Sequence, residues 1–234
     1  MAEDLTNQTL EHYRLEDLIG QGGMGSVYRA VDLNLARPVA VKVMHEELAS
    51  SPDFQERFQR EAQAAALLEH PSIVRIYHYG RDQESQYIVM ELVPGLSLGS
   101  YIKQLADSNQ VIRVDETVLL TTQVAEALGY AHRKGIIHQD IKPDNILVKE
   151  LDQADRPDEP PLRAVVTDFG IARLKRGDIV LSDGEVIGTL DYISPEQLLG
   201  QTMDGRSDIY SLGVALFQQA TGQLHYQVET LADA

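Results

Sequence analysis

From Tyr13 to Met44, apolar residues recur at short, strand-like spacing. Val27, Arg29 and Val31 alternate with Tyr28 and Ala30, and Val39–Val43 (VAVKV) is rich in β-branched residues. A period of two sends successive side chains to opposite faces. Val41 and Val43 therefore share one face, and Ala40 and Lys42 the other. Asn34 to Pro38 supplies a turn between the two runs. Residues 1–12 are polar and mixed and read as a loose lead-in. After Ser51-Pro52, a plausible N-cap and first helical position, the period lengthens. Phe54, Phe58, Ala62, Ala65 and Leu68 then recur at helical spacing until His70-Pro71. Residues 73–79 and 86–92 return to strand patterning before Pro94-Gly95 breaks the chain.

Beyond that break the pattern turns helical. Residues 97–106 and 115–134 predict helices, the second carrying Val118, Leu119, Thr122, Ala125, Leu128 and Ala131 on an apolar face and stopping at Gly135. Ile146–Lys149 and Ala164–Thr167 predict two short strands. The acidic, proline-rich stretch 150–161 between them reads as a solvated surface loop. Residues 195–200 and 207–221 predict further helices. The expected class is α+β: a small β-rich part over 13–93 with one helix, then a larger helical part over 94–234.

Composition narrows the chemistry. The 234 residues include no cysteine, which removes disulfides, thiolate zinc sites, iron–sulfur clusters and cysteine nucleophiles, and fits a reducing, cytoplasmic setting. The formal net charge is −16, a poor match to a nucleic-acid backbone or an anionic membrane. The first residues do not pattern as a secretory signal, and no apolar run reaches the roughly 18 residues that a bilayer span needs. His132 and His138 straddle Gly135 with no further ligand to complete a zinc set, so packing is the better reading of both.

Three stretches carry candidate chemistry. Gly20-Gln21-Gly22-Gly23-Met24-Gly25 matches G-x-G-x-x-G, a motif that ordinary turns also produce. In a dinucleotide-binding unit such glycines lead into a helix. Here Ser26–Val31 patterns as a strand, so the glycines join two strands, as in a flap whose backbone N–H groups approach nucleotide phosphates. Lys42 interrupts a β-branched run, where a buried ammonium needs a partner. Glu61, near the apolar side of the helix, is the candidate. Val27 and Ala40 could roof a planar base on the Lys42 face. The densest signal is His138–Asn145 (HQDIKPDN), a loop between helix and strand. There Asp140 can accept a hydroxyl proton, Lys142 can stabilise charge on a transferred group, and Asn145 offers a neutral oxygen. Asp168 follows at a strand end, and an Asn–Asp oxygen pair suits Mg²⁺.

Together with Ile19–Val27, Gly188–Glu196 (GTLDYISPE) and Asp208–Gly213 (DIYSLG), these pieces resemble, in order, a eukaryotic-type (Hanks-type) serine/threonine protein kinase of the bacterial kind. The resemblance implies a two-lobed kinase fold and Mg²⁺-dependent transfer of the ATP γ-phosphate to Ser or Thr hydroxyls of a protein substrate. It implies a phosphate flap of Ile19, Gly20, Gly22, Gly25 and Val27. Ala40 and Leu147 would enclose the base, and Lys42 paired with Glu61 would contact the phosphates. Met90 would be the gatekeeper, with Glu91 and Val93 the hinge. Asp140 would be the catalytic base, Lys142 its electrostatic aid, and Asn145 and Asp168 the magnesium ligands. Asp208 would brace the catalytic loop, and Ala65, Ile76, His138 and Phe169 would stack in one hydrophobic column.

Two departures accompany the match. Gln139 stands where many members have arginine, so a phosphate on the following loop, where Ser182 is the hydroxyl residue, would find no arginine beside Asp140. The family also continues past the equivalent of Ala234 through further helices, one supplying an arginine to the glutamate at Glu196. The expected large lobe is therefore incomplete at its C-terminal end. The rival reading is a truncated pseudokinase-like module that binds nucleotide or a partner protein without turnover.

Overall fold

A computed structural model describes residues 4–23, 25–45, 52–82, 85–154, 160–169 and 190–225. Within it the chain forms two compact units, one of residues 1–69 and 74–93, the other of residues 70–73 and 94–234.

The first unit is built on a six-stranded antiparallel sheet. Its strands are β1 (Thr9–Leu10), β2 (Tyr13–Gly22), β3 (Gly25–Asp32), β4 (Arg37–Met44), β5 (Ile76–Asp82) and β6 (Ser85–Met90), in spatial order β1-β2-β3-β4-β6-β5. The alternation anticipated from sequence becomes two distinct faces. On one, Leu10, Tyr13, Leu15, Tyr28, Ala30, Val39, Val41, Val43, Tyr87 and Val89 form a buried cluster. The register sets Val27 opposite Lys42 and Lys42 opposite Ile88, with Ala40 opposite Met90, so these residues line the other face. Helix α1 (Pro52–Ala65) buries Phe58, Ala62 and Ala65, and the Phe58 and Tyr79 rings lie 6.0 Å apart.

Several boundaries differ from the sequence reading, each for a local reason. Part of the expected lead-in is structured: Thr9 and Leu10 pair with Arg14 and Tyr13, and Leu10 is buried in the cluster. Asp32 closes the β3–β4 turn early by accepting from the N–H groups of Asn34 and Leu35, so Pro38 lies inside β4 opposite Val31. The α1 pattern ends at Ala65 rather than His70, although Leu68 beyond it is still buried. The Ser51 cap lies outside the described residues. Residues 73–79 do not form one strand. Ile73 bridges to Val166 while the Val166 N–H donates to the Ser72 carbonyl, and β5 starts only at Ile76.

In the second unit, β7 (Leu96–Ser97), β8 (Ile146–Glu150) and β9 (Leu162–Val166) form a small antiparallel sheet, ordered β7-β8-β9. Helix α2 (Leu98–Asp107) is capped by Ser97, whose hydroxyl oxygen accepts from the Ser100 N–H. Helix α3 (Val114–Arg133) packs on β9 and on α5 (Gly205–Thr221), and the short helix α4 (Pro195–Leu198) precedes α5. The apolar face of α3 is rotated from the one expected. Thr117, Leu120, Val124, Ala127, Leu128 and Ala131 are buried, whereas Val118, Thr122 and Ala125 are exposed. Several apolar stripes coexist on this helix, and packing against β9 and α5 selects one. Helix α5 ends at Gly222, whose φ of 72° is the left-handed conformation glycine adopts without a Cβ penalty.

Candidate active site

The glycine motif is a hairpin rather than an open loop. Gly20, Gln21 and Gly22 belong to β2, where Gly20 faces Val27 and Gly22 faces Gly25, with register shifts just before Gly20. The glycines differ in what demands them. A Cβ on Gly25 would stand 2.2 Å from the Val43 carbonyl oxygen, so the sheet itself requires glycine there. A Cβ on Gly22 would meet nothing within 4 Å, and one on Gly20 only Val27 at ordinary contact distance. The fold leaves those two positions open to an approaching group. His45 Nε2 donates to the Gly22 carbonyl at 2.9 Å and ties this strand end to the chain leaving β4.

On the Lys42 face, Ala40, Lys42 and Met90 are buried while Ile19 is half exposed. The Glu91 N–H is committed to the Arg75 carbonyl, and Val93 is buried. Glu61 lies on α1, but its side chain falls outside the described residues, and so does its expected pairing with Lys42.

In the second unit, residues 138–145 are held by a dense hydrogen-bond set. Asp208, wholly buried on α5, accepts from the Gln139 N–H at 2.7 Å and the His138 N–H at 2.9 Å, with His132 Nε2 at 2.7 Å. A buried carboxylate is tolerable only with such partners. His138 Nδ1 accepts from the Asp140 N–H, so its proton sits on Nε2, which donates to the Thr167 carbonyl at 2.8 Å. Its ring packs 4.6 Å from that of Phe169. Ala65 and Ile76, the other members of the expected column, lie in the first unit.

Asp140, Lys142 and Asn145 converge. Asn145 Nδ2 donates to the Asp140 carbonyl at 2.7 Å and to Asp140 Oδ2 at 2.9 Å, and Lys142 Nζ lies 3.0 Å from the same Oδ2. Asn145 closes a 3₁₀ turn, Pro143–Asn145, that leads straight into β8. The Thr167 N–H donates to the Asn145 carbonyl at 2.9 Å, which brings the residue before Asp168 alongside Asn145. Leu147 follows on β8, opposite Val165. Gln139 and Asp168 have φ of 70° and 63°, a conformation that costs a non-glycine residue about 1–3 kcal/mol and persists where surrounding bonds impose it.

Some contacts carry no signal in the sequence. Gln197 Nε2 donates to the Gln139 carbonyl at 2.7 Å across 58 residues. The Ser207 hydroxyl donates to Glu196 Oε1. Tyr192 donates to Gln218 Oε1, and Ser211 Oγ donates to the Tyr192 carbonyl, fastening residues 190–192 to α5. Ser182 and the start of the Gly188–Glu196 stretch, Thr189 included, fall outside the described residues.

Residues 13–233 match the protein kinase domain family. The chain belongs to that family. Among its relatives, a probable serine/threonine-protein kinase of Clostridium acetobutylicum is 41% identical over 93% of the chain, and the serine/threonine-protein kinase PrkC of Bacillus subtilis is 38% identical over 93%. The serine/threonine-protein kinase PknA of Mycobacterium tuberculosis is 41% identical over 90%. The chain spans 31%, 32% and 47% of the length of these three. The crystal structure of the Mycobacterium tuberculosis PknI kinase domain superposes with a TM-score of 0.74 at 29% identity, over 95% of this chain and 79% of that one. The kinase fold and the bacterial serine/threonine-kinase resemblance expected from the sequence are thereby established. Among the described residues no helix is long and apolar enough to cross a membrane.

Proposed function

We propose that this chain is an active serine/threonine protein kinase domain, transferring the ATP γ-phosphate to Ser or Thr hydroxyls of a protein substrate. The observation that carries the reading is the convergence of Asn145 Nδ2 and Lys142 Nζ on one oxygen of Asp140. A carboxylate so oriented can accept the proton of an acceptor hydroxyl, and Lys142 beside it can offset charge on the phosphoryl group in transit. Lys42, assisted by Glu61, would hold the nucleotide phosphates beneath Gly20, Gly22 and Gly25. Ile19, Val27, Ala40 and Leu147 would enclose the adenine. Met90 would bound its pocket, and the backbones of Glu91 and Val93 would bind its edge.

Magnesium fits the oxygen donors at hand. The amide nitrogen of Asn145 is engaged by Asp140, which leaves its amide oxygen for a hard cation, and Asp168 adds a carboxylate. Asn145 and Asp168 would hold the ion, which supplies charge neutralisation on the nucleotide phosphates when bound. A chain without cysteine fits work in a reducing, cytoplasmic compartment.

Asp140 acts on the acceptor rather than on the nucleotide. Asp140→Asn should therefore abolish transfer of radiolabel from ATP to a generic basic protein while leaving nucleotide affinity nearly intact. Wild-type transfer should require Mg²⁺, stop with EDTA, and label Ser or Thr. Retention of more than about a tenth of a wild-type kcat in the usual range of roughly 1–100 s⁻¹ would remove Asp140 from this role. A wild-type chain that binds ATP without transfer would point to the binding-module reading.

A further inference from the structure

We propose that Gln197 is a positioning residue for the catalytic loop, acting through the peptide that joins Gln139 to Asp140; the inference rests on the kinase reading above. The Gln139 carbonyl and the Asp140 N–H belong to one planar peptide unit. Both ends of that unit are held. The carbonyl accepts from Gln197 Nε2 at 2.7 Å, and the N–H donates to His138 Nδ1 at 3.2 Å. The preceding N–H, that of Gln139, is held by Asp208 Oδ1 at 2.7 Å. A peptide fixed at both ends sets the direction in which the next side chain leaves the backbone, and here that side chain is the Asp140 carboxylate.

The orientation of the Gln197 amide follows from its neighbours. Its Oε1 faces two donors, the Ser194 N–H at 3.2 Å and the Ser194 hydroxyl at 3.0 Å, whereas its Nε2 faces a carbonyl that can only accept. The reverse assignment would lose the bonds to the Ser194 N–H and to the Gln139 carbonyl; only the Ser194 hydroxyl, which can also accept, could adapt to it. Ser194 is wholly buried, so its side of this link is shielded from water. Gln139 is also one of the strained positive-φ residues, and its bonds to Asp208 and Gln197 are what impose that conformation. Gln197 therefore couples two stretches, the α4 start at Ser194 and the catalytic loop at Gln139, through a single side chain.

Two substitutions separate positioning from mere structure. Gln197→Glu keeps an oxygen to accept from Ser194 but loses the donor to Gln139. Gln197→Met has nearly the same length and loses both without adding charge. Both variants should show kcat for peptide phosphorylation lowered tenfold or more, equal to about 1.4 kcal/mol of transition-state stabilisation. The KM for ATP should stay within twofold of wild type, and the melting temperature of the Glu variant should be nearly unchanged. A Met variant with wild-type kcat would mean that the Glu effect is charge repulsion, and would overturn the proposal. A Glu variant that melts early, or either variant with weakened nucleotide affinity, would make Gln197 a structural residue and overturn it equally. A wild-type chain without transfer activity would instead count against the kinase reading.

Discussion

Glu196 shows how one hydroxyl sets the behaviour of a charged group. The Ser207 hydroxyl donates to its carboxylate, and this bond above all, with its own backbone N–H, holds the Glu196 pKa below the ordinary glutamate value. A carboxyl whose pKa is lower folded than unfolded adds stability above the unfolded pKa and loses it as pH falls through the folded one. Ser207→Ala should therefore cost about 1 kcal/mol near neutrality. The deficit should shrink as pH falls from about 4.3, where glutamate begins to protonate in the unfolded chain, down through the lower pKa of the folded one. Urea unfolding of both proteins at neutral pH and again near pH 3.5 checks this. An equal deficit at both pH values would mean that the hydroxyl acts by packing rather than through the carboxylate.

Among the elements, the β2–β3 hairpin separates glycines that look alike in sequence. Gly25 is pressed against the Val43 carbonyl, whereas Gly22 opens on empty space. Gly25→Ala should cost about 1–3 kcal/mol, because the β3–β4 pairing must part to admit a methyl group. Gly22→Ala should melt at the wild-type temperature or slightly above, since its φ is not in the left-handed region and alanine restricts the unfolded chain. Its cost should appear in a raised KM for ATP. Thermal melts and ATP titrations of the two variants decide the matter; a Gly25→Ala protein as stable as wild type would contradict the backbone clash. Helix α3 carries the complementary lesson. Its length and ends were legible from the 3.6-residue period, but its buried face was not, because several stripes were apolar enough and β9 and α5 chose among them.

At the scale of the whole molecule the dominant property is a net charge of −16. Excess like charge opposes compaction, and its effect falls within a Debye length of about 8–10 Å at physiological salt. The melting temperature should therefore rise when sodium chloride is raised from about 10 mM to about 150 mM. A fall over that range would show that ion pairs such as Arg60–Glu56 and Arg113–Asp115 outweigh the net repulsion.

The sequence by itself determined the class of fold, the succession of strands and helices, and the family, because the motifs are contiguous and period and turn chemistry act over a few residues. It also marked Asp140, Lys142, Asn145 and Asp208 as candidates, since each sits in a short recognisable stretch. Only tertiary structure decided which glycine the sheet requires, that Leu10 joins the core, and that Ile73 leaves β5 to pair with Val166. The same holds for Gln197 on Gln139 and Ser207 on Glu196, contacts between residues distant in the chain. The physical reason is common to all of them. A hydrogen bond or a steric contact depends on which atoms the packed backbone brings within about 3 Å, and that distance is not encoded in local spacing.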